Sequence, residues 1–377
     1  MVDAMLPYFT EHFGNASSRT HAWGWRAEAA VEDARERIAN ALGAHDPRSV
    51  LFTSGTTESD NLALKGVARA NRQRGNHIVS VCTEHPAVLE ACEQLEAEGF
   101  RVTLLEVDSG GLVAPDGVAQ ALTGETVLVS VMAANSEIGV LQPLAEIAAI
   151  CRERGVPLHT DAAQAVGKIP VDVESDGVDL LSMCAHKLYG PKGVGALYVR
   201  QQRPRLRVEP LLHGGGHERG FRSGTLPVPL IVGFAKAVEL CVADLEVEAG
   251  RLRGLRDRLW GLLSSKLEGV DLNGDPDQRL PGNLNVSFTG VAADALISRL
   301  RGVALSTGSA CASAGGQPSH VLRALGLSEA RARGAVRFGL GRSNTEEEID
   351  DAAGRVIQVV RELRNGPGTS PPLSVRD

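Results

Sequence analysis

Between residues 49 and 183 short β-prone runs alternate with amphipathic helical stretches, and this alternation limits the possible folds more than any other feature. Strands are expected at 49–53, 77–82, 102–105, 126–132, 156–160 and 180–183. Helices are expected at 26–42 (closed by Gly43), up to about 72, and at 87–98 and 144–154. Strands separated by whole helices pair in parallel, because the crossover has the length to return to the same edge. The pattern therefore predicts an α/β chain with a large doubly wound domain and a mainly parallel sheet. In such sheets functional groups collect beyond the carboxyl ends of the strands. Thr83-Glu-His85, Asn135-Ser136-Glu137, Asp161 to Gln164, and His186-Lys187 all follow expected strands.

Past Pro227 the pattern changes. Helices at 231–245 and 246–267 precede a smaller α+β arrangement, with strands at 284–288, 303–306 and 335–339 and helices at 292–301, 319–325 and 345–364. Thr345 and Glu348 have the spacing of a capping box. The expected division is a large domain at 14–246, a small one at 247–364, and a disordered tail at 365–377 rich in Pro, Gly and Ser.

A net charge of −7 with no long basic run argues against direct binding to a nucleic-acid backbone. No apolar run approaches the roughly 20 residues that cross a bilayer, so a soluble, cytoplasmic protein without membrane contact is expected. The 6 cysteines are scattered and include no C-x-x-C pair, which points to reduced thiols and no metal cluster. Cys311 differs from the other five. Its surroundings, Leu305 to Gln317, are small, polar and glycine-rich, with nothing apolar to bury a thiol.

Four single residues carry chemistry on their own reading. Lys187 follows an apolar run and precedes a Gly/Pro turn; burial there would disfavour its charge and suit it to Schiff-base chemistry with an aldehyde cofactor. Asp161 after an apolar strand could hold a pyridine nitrogen protonated, or cap the next helix. His85 could lie on an aromatic ring or be a satisfied loop histidine. Arg337, in an apolar strand, either pairs with a structural carboxylate or captures an anionic substrate group. Ser54-Gly-Thr-Thr-Glu-Ser-Asp-Asn61 joins a strand to a helix N-terminus, where a phosphate can be cradled.

Thr53 to Asn61, Thr83-Glu-His85, His159-Thr-Asp-Ala-Ala-Gln164, Ala185-His-Lys-Leu-Tyr-Gly-Pro-Lys-Gly193, His213 to Pro227 and Ser306-Thr-Gly-Ser-Ala-Cys311 together resemble the cysteine desulfurases. These are class V members of the fold-type I pyridoxal-phosphate enzymes, and the match runs in order through almost the whole chain. It is closest to their first group, with a catalytic cysteine on a long mobile loop. The resemblance makes 14–246 the cofactor-binding domain and 247–364 the carrier of the Cys311 loop. It implies that Lys187 binds pyridoxal 5'-phosphate covalently, His85 stacks on the ring, Asp161 meets the ring nitrogen and Gln164 the ring oxygen. Thr56, Thr57 and His186 would hold the phosphate, joined by Thr225 of a second copy in a homodimer. Arg337, with Asn15 nearby, would take the carboxylate of L-cysteine, and Cys311 would receive its sulfur as a persulfide for an acceptor protein. The loop 306–316 would be the tether that moves it.

Three departures stand out. Cys184 replaces a phosphate-binding serine, and Ser136 replaces the second of two asparagines after Ala134, so Asn135 is followed by a shorter side chain. The chain also opens without the family's first strand, which leads to the expectation of a truncated start and poor substrate binding. The resemblance extends to the desulfurase of DNA phosphorothioation, because the end of the chain lacks the apolar segment usual in iron–sulfur assembly enzymes. A housekeeping iron–sulfur or tRNA-thiolation role is the alternative destination, and a transaminase or selenocysteine lyase the alternative reaction.

Overall fold

The computed structural model describes residues 1–202, 205–307 and 319–365. Cys311 and residues 366–377 of the expected tail lie outside them. The chain divides into two compact units. The first comprises Met1–Val107, Leu112–Asn135 and Leu141–Glu246; the second takes in Asp108–Gly111, Ser136–Val140 and the chain from Val247 on.

The first unit is built on seven strands: β1 (Val50–Thr53), β2 (His77–Val81), β3 (Arg101–Leu105), β4 (Thr126–Ser130), β5 (Leu158–Asp161), β6 (Leu180–Cys184) and β7 (Gly195–Val199). Their order is β1-β7-β6-β5-β4-β2-β3. β7 runs antiparallel to both neighbours, while β6, β5, β4, β2 and β3 pair in parallel. β1 to β6 therefore all point one way. Every strand but β3 is buried along its length, as β-branched and apolar runs in a sheet covered on both faces must be. β3 is one edge, with Arg101 and Leu104 exposed, and β1 is the other. β7 was not expected from the sequence. It starts at Gly195, just after a Gly/Pro turn, where a Cβ would stand 2.7 Å from Gly55 Cα. A glycine is what lets this strand pass the β1 turn.

The helix Ala22–Ala41 packs small residues (Ala27, Ala30, Ala34) against the helix Val228–Ala243. It ends as the sequence indicated, with Gly43 at φ +69°. Ala44 N–H donates to Ala39 O (2.9 Å) and Gly43 N–H to Asn40 O (3.2 Å), the paired bonds of a Schellman close. Residues before 14 also pack here: Met5, on the short helix Val2–Met5, is buried against Gly233.

A buried ion pair fixes the glycine-rich stretch before Val228. Arg35 Nη1 and Nη2 each donate to Glu218 at 2.8 Å, and Nη1 also donates to Val50 O at 2.6 Å. Glu218 Oε2 accepts from Phe52 N–H at 2.7 Å, and the guanidinium lies 4.8 Å from the Phe52 ring centre. Glu218 and Arg219 hold positive φ (+46° and +55°), strain that this clamp stabilises.

The second unit holds an antiparallel sheet of β8 (Val270–Leu272), β9 (Asn283–Phe288) and β10 (Ala335–Gly339) in the order β10-β9-β8. Leu255, Leu259 and Leu263 of the helix Leu245–Lys266 and Val356 and Val360 of the helix Glu346–Asn365 close its core with Val286, Phe288 and Val336. Thr345 and Glu348 form the reciprocal capping box, each N–H donating to the other's side chain at 3.3 Å. The strand expected at 303–306 is absent. Residues 301–304 are largely exposed, and only Ser306 reaches β10, in an isolated bridge to Arg337. Among the described residues no helix is long and apolar enough to cross a membrane.

Removing one member of a buried ion pair strands the other charge, which costs about 3–5 kcal/mol. Arg35→Met is therefore expected to lower stability toward urea by that amount, and Arg35→Met/Glu218→Gln to recover part of it. A single-variant loss no larger than a surface substitution would show that the clamp is not holding the fold.

Candidate active site

Because β1 to β6 share a direction, their carboxyl ends form one edge of the first unit's sheet, and the chemistry-bearing residues gather there. β1 turns through Ser54-Gly55 into the helix Thr56–Ala70. No side chain caps its first amides, since Gly55 is the N-cap. Glu58 in the first turn accepts from Ser54 N–H at 2.7 Å and pairs with Arg222 at 2.8 Å. Thr56 Oγ1 is buried with no well-formed hydrogen bond among the described residues, whereas Thr57 is exposed. The neighbour of Thr56 is the Cys184 thiol, a weak partner, and an open helix N-terminus next to so weakly bonded a hydroxyl is suited to phosphate oxygens.

Cys184 ends β6, is 2 % exposed, and places Sγ 3.8 Å from His186 Nε2. Burial raises the thiol, so it stands as a neutral group. His186 is lowered, first by burial and then by Lys187 and Lys192, and is neutral at pH 7. Lys187 lies on the short 3-10 turn Ala185–Leu188, which Tyr189 closes in the left-handed region at φ 59°. Here the sequence expectation is corrected. The strand is buried, but the turn lifts Lys187 into an exposed position. From there it acts electrostatically on Asp161 and opposes the effect of burial on that carboxyl group.

Asp161, the last residue of β5, is 8 % exposed. Burial raises it to about 6, against the Ala163 N–H that donates to its Oδ1 at 2.9 Å and against Lys187. It does cap the following residues, but they form turns and not a helix. Gln164 accepts Lys168 Nζ at 2.6 Å through Oε1, which leaves its amide NH2 as the donating end. His85 caps the helix Pro86–Ala97, its Nδ1 accepting from Ala87 N–H at 3.1 Å. That bond fixes the ring and places its proton, when neutral, on Nε2. Asn135 is buried and donates to Thr83 O at 2.9 Å. Asn15 and Thr225 lie on exposed stretches of this unit. Among the described residues no hydrogen bond joins either to the strand-end group, and Asn15 Oδ1 instead accepts from Ser17 N–H.

In the second unit Arg337 donates through Nη1 to Ser136 O at 2.8 Å and through Nε to Ser306 Oγ at 3.1 Å. Burial lowers it and Glu137 opposes that effect, yet no carboxylate among the described residues forms an ion pair with it. The Glu137 carboxylate accepts from Ser319 Oγ at 2.5 Å. Of the two readings open for Arg337, the structural salt bridge is absent among these residues.

Sequence reasoning assigned no role to Asp60 or Glu84, although both stand inside quoted motifs. Each is buried, and Glu84 Oε1 accepts from Met132 N–H at 2.6 Å. The available signal was Asp60's place on the apolar face of its helix, between Ser59 and Leu62-Ala63-Leu64.

A family model described as aminotransferase class-V matches residues 1–351. A cysteine desulfurase of Mus musculus is 53% identical over 364 residues, covering 97% of this chain and 79% of the relative. A solved NifS-like protein superposes with a TM-score of 0.88 at 37% identity, covering 96% of this chain and 95% of the other. The crystal structure of DndA from Streptomyces lividans gives 0.78 at 41% identity, covering 89% and 94%.

A carboxyl group raised by burial favours the folded chain when protonated and disfavours it when charged. For Asp161 that contribution is present below about pH 4 and is lost as pH rises through about 6. Asp161→Asn is expected to make the cofactor-free chain more stable than the parent at pH 8, by roughly 2–3 kcal/mol at about 1.4 kcal/mol per pKa unit. The gap should close toward pH 4. Urea titrations at both pH values check this; a gap independent of pH would contradict it.

Proposed function

The chain belongs to the aminotransferase class-V family and is a pyridoxal-phosphate-dependent cysteine desulfurase; we propose how its residues divide that work. The buried Thr56 hydroxyl, held only by the weakly bonding Cys184 thiol at an uncapped helix N-terminus, and the buried carboxyl of Asp161 opposed by Lys187, fit the phosphate and ring nitrogen of this cofactor. That pairing of a phosphate cradle with a buried acid is the observation that carries the reading. When bound, pyridoxal phosphate supplies an electron sink for charge developing at the substrate's α-carbon.

In this reading Lys187 would hold the cofactor and serve as the base for the α-proton of L-cysteine. Its exposed position on the turn gives the side chain room for both tasks. Asp161 supplies the negative charge that keeps the ring nitrogen protonated, and His85, with Nδ1 committed to the backbone, presents its ring face. Gln164 donates to the ring oxygen through its amide, and Asn135 and Ser136 are the further candidates for that contact. Thr56, Thr57 and His186 contact the phosphate; Cys184, as a neutral thiol, donates only weakly there. Arg337 binds the substrate carboxylate, with Asn15 as a second contact. The Cys311 thiolate attacks the substrate sulfur, the C–S bond breaks toward carbon, and alanine leaves while Cys311 keeps the sulfur as a persulfide.

The first unit is the cofactor-binding domain, and the second carries Cys311. A homodimer completes the site through Thr225 of the second copy. The exposed Phe9, Phe13, Trp23 and Trp25 support a covered face in such an assembly. The setting is cytoplasmic, and the persulfide passes to an acceptor protein without direct contact with nucleic acid. The likeness to DndA supports DNA phosphorothioation as the destination. A housekeeping iron–sulfur or tRNA-thiolation donor is the second reading.

Lys187→Ala is expected to lose the cofactor's visible absorbance band and all alanine formation. Cys311→Ser should keep the band and lower alanine release from L-cysteine at least a hundredfold, on the scale of removing a nucleophile. Full turnover by Cys311→Ser would instead point to a transaminase or lyase reaction. Proteins captured from the native host by the Cys311 persulfide form distinguish the two destinations.

A further inference from the structure

Asp60 sits on the buried face of the helix Thr56–Ala70 at 0 % exposure. Neither carboxylate oxygen has a well-formed hydrogen bond among the described residues. The closest ring nitrogen, His159 Nε2, stands 3.6 Å from Oδ1 and is bonded elsewhere. His159 bridges two hydroxyls, with Nε2 at 2.9 Å from Ser182 Oγ and Nδ1 at 2.9 Å from Ser130 Oγ. Burial pushes this imidazole down to about 3, so it is neutral and offers Asp60 no counter-charge.

The groups contributed by the surrounding elements decide which acid ionises. β5 brings His159 and, two residues on and so on the same face, Asp161. The turn after β2 brings Glu84, and β6 brings Ser182 and the neutral thiol of Cys184. β1 and β4 contribute only apolar and hydroxyl side chains, β7 the neutral Tyr198, and the helix Pro86–Ala97 the neutral Cys92. Burial comes first in raising Asp60 well above the usual carboxylate range, and Asp161 and Glu84 add to it while Ser182 opposes. Glu84 is raised likewise, by burial and then Asp161. Asp161 faces a cation, Lys187, and is held at about 6. Three carboxyl groups thus share one dry region, with Lys187 set against Asp161 at its rim.

We propose that Asp60 is kept as a neutral carboxylic acid whose proton points at the Ser182 hydroxyl, so that Asp161 is the one negative charge of the three. Asp60 is then a positioning residue acting through Asp161, and this rests on the reading of Asp161 as the partner of the ring nitrogen. The direction of the hydroxyl–imidazole ladder follows. Ser182 accepts from Asp60 and donates to His159 Nε2, and His159 carries its proton on Nδ1 and donates to Ser130. An ionised Asp60 would reverse every bond, placing the His159 proton on Nε2, and would set a second anion beside Asp161.

The test uses the holoenzyme. Infrared difference spectra between the parent and Asp60→Asn at neutral pH are expected to show loss of one protonated-carboxyl band with the carboxylate bands unchanged. Loss from the carboxylate bands overturns the proposal. The pH profile of the visible cofactor band should coincide in the two, because the amide can donate to Ser182 as the acid does. A profile shifted to lower pH in the variant would mean that an anion had been removed, and also overturns it. Nitrogen-15 spectra of the unsubstituted enzyme need no variant to fold: His159, assigned by the shift that Ser182→Ala causes, should show the Nδ1–H tautomer, and the Nε2–H tautomer refutes the ladder. Asp161→Asn separates the two readings. If it leaves the visible band and its pH profile untouched, Asp161 does not face the ring, and the positioning role falls even where Asp60 proves to be protonated.

Discussion

The first unit depends on placing a carboxyl group, Asp161, at the end of a fully buried strand with one exposed lysine to oppose it. Burial disfavours that charge, and the fold tolerates it because the strand ends where β6 turns outward at Lys187. A cationic ring nitrogen in this position would be stabilised by the same low-dielectric surroundings that destabilise the lone anion. The site is thus costly to the empty chain and favourable to the loaded one. Asp60 and Glu84, raised further by the same burial, belong to that arrangement and not to the packing core.

Much of this was legible in the chain. Alternating apolar runs gave away the parallel strands, because a strand covered on both faces must be apolar at every position. Once the strands were placed, the carboxyl-end rule found Asp161, His85 and Lys187. Gly43 and the Thr345–Glu348 pair were readable because caps depend on local chemistry alone.

What was not legible depended on tertiary contacts. β7 hid behind a glycine–proline turn, because only its pairing with β1 and β6 marks those five residues as a strand. Residues 303–306 looked like a strand by composition but find a partner only at Ser306. Lys187 was expected to be buried because its strand is; the left-handed turn at Tyr189 shows why it is not. Arg35 and Glu218 lie 183 positions apart, and no local pattern links them. By its charge Asp60 carries no local signal of burial, because only the surrounding strands remove every water-facing direction.

The central claim is that an acid-and-cradle site in the first unit serves sulfur transfer to Cys311. The most direct measurement is peptide mass spectrometry of the loaded enzyme after a single turnover with L-cysteine, alanine being counted in parallel. The expected result is one added sulfur on the peptide carrying Cys311, equal in amount to the alanine released and absent from the other five cysteines. Alanine formed with no sulfur on that peptide, or sulfur found instead on Cys184, would contradict the account.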